Sequence, residues 1–220
     1  TWADDWVIMP LQAGSQYDAL AHVHYDGRLY NGHPGSGVTS KGAAHCGIQV
    51  QSKGITGRGV LLDIAGLRGV DWLNAGEVIT PDDLEAAERA HGVTVGEGDI
   101  LLVRTGWWRK FCTDRDPVAF MAGEPGLGLA CAPWLRERGV AVLGADNHAI
   151  EVVPGERPDS MFELHMVVIR DMGLTLAEIL DLEELAQACR DHSRYEFFYA
   201  GPPLKFTRAV GSPINPLAIM

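Results

Sequence analysis

The sequence predicts a mixed α/β fold, because aliphatic runs of strand length alternate along the chain with segments of helical character. The strand candidates cover residues 58–65, 99–105, 140–144 and 195–200, and the helix candidates cover residues 80–92, 133–138 and 182–192. Apolar runs are spread evenly over the 220 residues, of which 46% are hydrophobic, and no point offers a natural cut. We therefore expect one domain spanning residues 1–220.

The helix candidate at residues 80–92 carries clear signals at both ends. Thr80 is a good N-cap residue, Pro81 suits the first helical position, and Asp82 and Asp83 favour the positive end of the helix dipole. Gly92 is placed to end the helix. These signals are local, so they predict the helix independently of the rest of the chain.

The two ends of the chain are predicted to be extended. The apolar run at residues 6–9 predicts a short buried strand leading into a polar motif. The tail contains Pro202, Pro203, Pro213 and Pro216, and we expect it to pack over the body or over a partner subunit. Since the chain opens at Thr1 without a methionine, we expect that a natural N-terminal segment is missing.

Composition excludes several classes of function. The formal net charge of −11 and the pI of about 5.1 argue against nucleic acid or an anionic membrane surface as partners. No apolar run approaches the roughly 20 residues of a membrane helix. The four cysteines are widely separated and form no Cys-x-x-Cys pair, so a reducing cytoplasm is the expected location.

A polar motif at residues 12–22 is the strongest signal for chemistry. If this segment is extended, Gln12, Gln16, Asp18 and His22 project from one face, with Gly14 leaving room between them. Burying four such groups is costly unless something pairs with them. A divalent metal ion would do so, since carboxylate and amide oxygens and imidazole nitrogen all serve as ligands.

This motif resembles the metal-binding signature of the cyclase family of metal-dependent hydrolases, which includes kynurenine formamidases and isatin hydrolases. The signature reads His-x-Gly-Thr-His-x-Asp-x-Pro-x-His, and the chain keeps Gly14, Asp18 and His22. Gln12 and Gln16 stand where the signature has histidines, while Ser15 and Leu20 replace Thr and Pro. The glutamine variant is similar to that of trans-dienelactone hydrolases, and segments 25–32, 58–64, 98–107 and 211–216 also look like stretches of the family.

The resemblance implies a compact swivelling β/β/α fold, a divalent ion that is zinc or manganese, and a homodimer or homotetramer. It also implies that His165 and Glu178 complete a centre whose metal ligands are Gln12, Gln16, Asp18, His22, His165 and Glu178, with His22 and His165 as catalytic residues. His22 is either a ligand or a proton shuttle. Because amide oxygens bind zinc more weakly than imidazole, we expect one ion rather than two. Spacing alone favours a simpler reading, with His165 in the core and Glu178 in the first turn of a helix.

Four further residues are candidates for contacting substrate: Tyr25, Arg104, Trp107 and His148. Arg104 and Trp107 end a predicted strand that lies near the pocket in the family, and His148 follows another strand. The alternatives are core packing for the tryptophan and a turn for the residues around His148.

The expected function is that of a metal-dependent hydrolase that opens a small cyclic ester or amide, or cleaves a small acyclic amide, with a metal-activated water. The alternative is a non-catalytic relative that binds a small metabolite on the same fold, which the altered ligands favour. A cysteine or serine hydrolase is disfavoured, because neither Cys131 nor Ser15 lies in a Gly-x-Ser-x-Gly turn or beside a recognisable base.

Overall fold

The computed structural model describes residues 1–157, 159 and 161–220. Twelve strands are formed within these residues: β1 Gln16–Asp18, β2 Val38–Thr39, β3 Gly42–Ala43, β4 Thr56–Asp63, β5 Val78–Ile79, β6 Ile100–Arg104, β7 Gly126–Leu127, β8 Val142–Ala145, β9 Thr175–Glu178, β10 Glu196–Ala200, β11 Gly211–Pro213 and β12 Leu217–Ile219. Helices between them include α1 Ile64–Leu67, α2 Pro81–His91, α3 Trp107–Asp114, α4 Pro117–Ala122, α5 Cys131–Arg138, α6 Glu163–His165, a π-helix at Met166–Asp171, and α7 Glu183–His192. The mixed α/β prediction is confirmed.

Eight of these strands form one sheet, in the order β11-β1-β9-β8-β6-β4-β10-β12. The four central strands, β9, β8, β6 and β4, are parallel, and the strands flanking them are antiparallel to their neighbours. Parallel strands end at the same edge of a sheet, so the last residues of β6, β8 and β9 lie along one edge. The polar residues that follow them are thereby gathered together.

The central strands are buried on both faces, which explains their continuous apolar runs. Successive residues of β4 alternate between two cores, since Val60 and Leu62 pack in one and Leu61 in the other. The first core lies against α2 and α5, and the second lies against α7. The site elements are thus held by a sheet with two packed faces.

The helix predicted at residues 80–92 is confirmed. Helix α2 begins at Pro81 with a capping box, in which the Thr80 side chain accepts from the Asp83 N–H and the Asp83 carboxylate accepts from the Thr80 N–H. Gly92 follows in the left-handed region at φ 64°. The remaining helix and strand candidates are present, with boundaries shifted by at most two residues.

The prediction of a buried strand at residues 6–9 is wrong. Trp6 and Ile8 are 93% and 98% exposed, and no strand is assigned to this segment. The run has strand-like composition, but it pairs with no other strand in the described part of the chain, and an unpaired strand has no ladder to stabilise it. Residues 11–15 form a turn, so the extended part of the polar motif begins only at Gln16.

The structure also corrects the alternative reading of Glu178, which is the last residue of β9 and not part of a helix. None of the helices described here combines the length and the apolar character that a membrane span requires.

Candidate metal centre

The centre is assembled where β1 meets β9. In this antiparallel pair Gln16 lies opposite Glu178, and Asp18 lies opposite Leu176. Residues directly opposite one another in such a pair present their side chains on the same face. His165, the last residue of α6, completes the group from outside the sheet.

Asp18, His165 and Glu178 each offer a ligand atom within 4.8 Å of the other two, and all three are buried. The His165 Nε2 atom lies 2.9 Å from Glu178 Oε1 and 3.8 Å from Asp18 Oδ2. Two ligand atoms about 2.0–2.2 Å from a zinc ion at tetrahedral angles lie roughly 3.3–3.6 Å apart, and the observed separations of 2.9 and 3.8 Å lie on either side of this range. Two carboxylates and one imidazole match a divalent cation in charge.

Two buried oxygens in this group support the fit to a metal ion. Asp18 Oδ2 and Gln16 Oε1 are inaccessible to solvent, and neither accepts a hydrogen bond from any described residue. A buried carboxylate oxygen without a donor is costly, because it loses its water and gains nothing in return. A cation beside Asp18 Oδ2 removes that cost, so the residues present fit a divalent ion held by Asp18, His165 and Glu178.

The two glutamines direct their NH₂ groups toward these carboxylates. The amide nitrogen of Gln16 donates to Glu178 Oε2 over 2.6 Å. That of Gln12 donates to Asp18 Oδ1 over 2.6 Å and approaches the Nδ1 atom of His22 at 2.8 Å. Since a nitrogen facing a carboxylate is the donor, both glutamines hold the carboxylates through their NH₂ groups, while the Oε1 atom of Gln16 has no donor among the described residues.

The contact from Gln12 also determines where His22 carries its proton. An amide NH₂ group is a donor, so Nδ1 of His22 is the acceptor and the ring proton lies on Nε2. Nε2 faces Asp18 Oδ2 at 3.7 Å. Burial lowers the pKa of His22, and the negative charge of Asp18 offsets this shift only in part. The ring is therefore neutral at pH 7.

The charge states of the buried ligands depend on one another. Burial opposes a charge on His165, but the neighbouring carboxylates of Asp18, Glu151 and Glu178 outweigh it and raise the pKa of His165 well above its usual range. Burial and the nearby charge of Asp18 raise the pKa of Glu178. A proton on Nε2 of His165 and a metal ion are alternatives, because both use the same lone pair.

Two buried glutamates near the centre were not singled out from the sequence. Glu151 accepts hydrogen bonds from His165, and Glu124 accepts from the N–H groups of His148 and Ala149 over 2.8 and 2.6 Å. Burial raises the pKa of Glu124 to about 8, although these two N–H groups oppose the shift. The available signal was an acidic residue inside the apolar run 149–153, which Glu151 interrupts.

Three of the four substrate candidates, Arg104, Trp107 and Tyr25, form hydrogen bonds within the protein through their polar side-chain groups. Arg104 is buried and donates to Asp63, Glu183 and the carbonyl of Asp71. The Trp107 ring is buried and its N–H donates to the carbonyl of Phe120. Core packing, the alternative reading of Trp107, is what the structure shows.

Tyr25 and His148 occupy different surroundings. The Tyr25 hydroxyl bonds to Asp171, and the Arg170 guanidinium lies 4.2 Å from the centre of the Tyr25 ring. Burial lowers the pKa of His148, and so does the charge of His165, whereas the charge of Asp18 opposes the shift. Of the four candidates, His148 is the one that the structure associates electrostatically with Asp18 and His165.

Solved structures of three known proteins are similar to this chain. A crystal structure of a novel cyclase is 41% identical, with a TM-score of 0.92, and the match covers 100% of this chain and 73% of that one. An isatin hydrolase bound to the product analogue thioisatinate is 20% identical, with a TM-score of 0.73 over 100% of this chain and 76% of its own. Isatin hydrolase A from Ralstonia solanacearum is 22% identical, with a TM-score of 0.67 over 94% and 72%.

The two isatin hydrolases show a shared fold at this level of identity. A search of curated proteins found no match. The family model named Cyclase matches residues 1–152, which include β1 and the polar motif at residues 12–22. Because that model matches most of the chain, and because a cyclase is 41% identical over 100% of this chain, the chain belongs to the cyclase family.

Proposed function

We propose that this chain is a metal-dependent hydrolase that opens a small cyclic ester or amide with an activated water. The observation that carries the proposal is Asp18 Oδ2, a buried carboxylate oxygen without a donor among the described residues, beside His165 and Glu178. A divalent ion bound there would acidify a water molecule and polarise the carbonyl of the substrate. Family membership supports the same reaction class.

The ion would be held by three residues, Asp18, His165 and Glu178. Gln16 keeps Glu178 in place by donating to Oε2, which leaves Oε1 directed at His165. Gln12 does the same for Asp18 through Oδ1, which leaves Oδ2 free of protein donors. Because both amide nitrogens donate to the carboxylates of Asp18 and Glu178, we propose that the centre holds one ion.

His22 would act on the leaving group. It is neutral, partly exposed, and presents its Nε2–H next to Asp18. A neutral imidazole that presents an N–H can stabilise an oxygen or nitrogen that gains negative charge as the ring of the substrate opens. This orientation supports the proton-shuttle role over the ligand role, because a metal ligand needs the lone pair on that atom.

Metal analysis followed by a substrate screen tests the proposal. The protein is incubated with zinc or with manganese, desalted, and assayed by elemental analysis, and it is then screened against lactones and cyclic amides. We expect about one ion per chain and hydrolysis that depends on it, with both lost in Asp18→Ala. Asp82→Ala, which removes an exposed carboxylate on α2, is the matched control and should retain both.

Two results would contradict the proposal. Full hydrolytic activity in Asp18→Ala would exclude this centre as the source of catalysis. A wild-type protein that binds neither metal would point instead to a non-catalytic binding protein on a hydrolase fold.

A further inference from the structure

Glu151 is a buried carboxylate that, among the described residues, accepts hydrogen bonds from one short segment, Leu164 and His165. Its Oε1 atom accepts from the backbone N–H of His165 over 2.8 Å, and lies 2.9 Å from Nδ1 of the His165 ring. Its Oε2 atom accepts from the backbone N–H of Leu164 over 3.1 Å. The carboxylate is therefore fixed to the main chain of the residue whose ring it contacts.

We propose that Glu151 is a positioning residue that sets the tautomer and the orientation of His165. The inference rests on the proposed function in one respect, namely that Nε2 of His165 is a metal ligand. A carboxylate is only an acceptor, so Nδ1 must carry a proton when it bonds to Glu151. The lone pair of the neutral ring then lies on Nε2, which faces Glu178 Oε1 and Asp18 Oδ2.

The two backbone bonds make this arrangement rigid. The His165 ring can turn about its side-chain bonds, but its own N–H holds the carboxylate at a fixed distance from the main chain. Any rotation of the ring away from Asp18 and Glu178 breaks the Nδ1 bond and leaves the buried Oε1 atom of Glu151 with only the backbone N–H of His165 as donor. Such a partner is commonly found behind a metal-binding histidine, and removing it typically weakens metal binding about 10- to 100-fold.

Glu151→Gln tests the tautomer because an amide has only one oxygen. If that oxygen stays on the His165 side, the NH₂ group faces the N–H of Leu164, and two donors oppose each other. If the amide turns over, its NH₂ group faces Nδ1, which must become the acceptor and shift the ring proton to Nε2. In neither orientation can the amide accept hydrogen bonds from all three donors that the carboxylate satisfies, namely the N–H groups of Leu164 and His165 and Nδ1 of His165.

Glu124 provides a matched control. It is also buried and accepts from two neighbouring backbone N–H groups, those of His148 and Ala149, but it bonds to no histidine ring among the described residues. Glu124→Gln therefore reproduces the replacement of a buried carboxyl group by an amide and the mismatch at the backbone. It should leave the tautomer of His165 unchanged and lower the affinity for zinc less than Glu151→Gln does.

The experiment combines nitrogen-15 NMR of the histidine rings with zinc titration against a competing chelator. The chain has eight histidines, and the signals of His165 are identified by their absence in His165→Gln. We expect a protonated Nδ1 in the wild-type protein with and without zinc. In Glu151→Gln we expect loss or redistribution of that proton and zinc affinity about 10- to 100-fold lower.

The proposal is overturned if Glu151→Gln keeps the wild-type ring signals and binds zinc as tightly as the wild type. It is also overturned, without any variant at position 151, if zinc-loaded wild-type protein shows His165 with an unprotonated Nδ1. Should Glu151→Gln fail to fold, that wild-type spectrum still decides. A wild-type protein that binds no zinc would contradict the proposed function, whereas a proton on Nδ1 that depends on Glu151 would still support the positioning role.

Discussion

The amide nitrogen of Gln12 lies 2.8 Å from Nδ1 of His22 and 2.6 Å from Oδ1 of Asp18, so one NH₂ group spans both residues. Both of its hydrogens are used by these two contacts. The imidazole N–H and the free carboxylate oxygen are consequently oriented by a single side chain.

Replacing Gln12 by Ala should lower kcat. Without the amide donor, His22 can place its proton on either nitrogen, and the donor to the leaving group is present only part of the time. We expect a decrease of about 10- to 100-fold, less than the full loss of a preorganised donor. The measurement is steady-state kinetics at saturating metal on the best substrate of the screen. Gln187→Ala, an exposed glutamine on α7, is the control, and equal kcat values for the two variants would argue against the role of Gln12.

Changing Gln12 and Gln16 together to His should create a second set of ligands. Imidazole nitrogen binds zinc more strongly than an amide does, and both positions adjoin Asp18 or Glu178. Elemental analysis should then give more zinc per chain than the wild-type protein holds, and tighter binding. Unchanged stoichiometry and affinity would mean that imidazoles at these positions do not reach an ion.

Asp146→Asn should destabilise the fold. The carboxylate of Asp146 is buried and accepts from the Thr105 N–H, the Thr105 hydroxyl and the Gly106 N–H, at 2.8, 2.6 and 2.7 Å. An amide directs its NH₂ group at one of these donors, which costs about 1–3 kcal/mol in the free energy of unfolding. Urea titration measures the change, with Asp4→Asn on the exposed N-terminal segment as control. Identical midpoints for the two variants would contradict the prediction.

Acid should destabilise the protein partly through His91. Its ring stacks on Tyr195 with centroids 3.8 Å apart, and burial lowers its pKa, although Asp63 and the Leu61 backbone oppose the shift. The unfolded chain keeps a pKa near 6.5, so below about pH 6.5 it binds more protons than the folded chain. This contribution to the free energy of unfolding therefore falls as the pH drops through that range.

The replacement His91→Phe keeps an aromatic ring on Tyr195 and removes the titration. Urea unfolding at pH 7.5 and at pH 5.5 should show a smaller loss of stability in the variant than in the wild type. Equal losses in the two proteins would show that His91 does not contribute.

Local signals allowed α2 to be predicted in full, because Thr80, Pro81, Asp83 and Gly92 act within the helix that they delimit. The run at residues 6–9 has strand-like composition, but a strand also needs a partner, and composition does not specify one. His165 and Glu178 were predicted from family resemblance, since spacing alone favoured a core histidine and a helical glutamate.

Glu151 could not have been assigned a role from the sequence. Its function depends on contact with α6, which follows it by more than ten residues and is placed by the packing of the whole domain. The orientation of the Gln12 and Gln16 amides could not be predicted from the sequence either, because their residue type suggested that they bind a metal ion through oxygen. Only the positions of Asp18 and Glu178 show that their amide nitrogens face the carboxylates.

The position of the centre in the sheet has a consequence for folding. Asp18 lies near the start of the chain, while His165 and Glu178 lie about 150 residues later, so an ion held by all three would act as a crosslink closing a long loop. An ion that binds only the folded chain would add about 2.7 kcal/mol of stability at a free concentration 100-fold above its Kd. Chelation should therefore lower the melting temperature of the whole sheet.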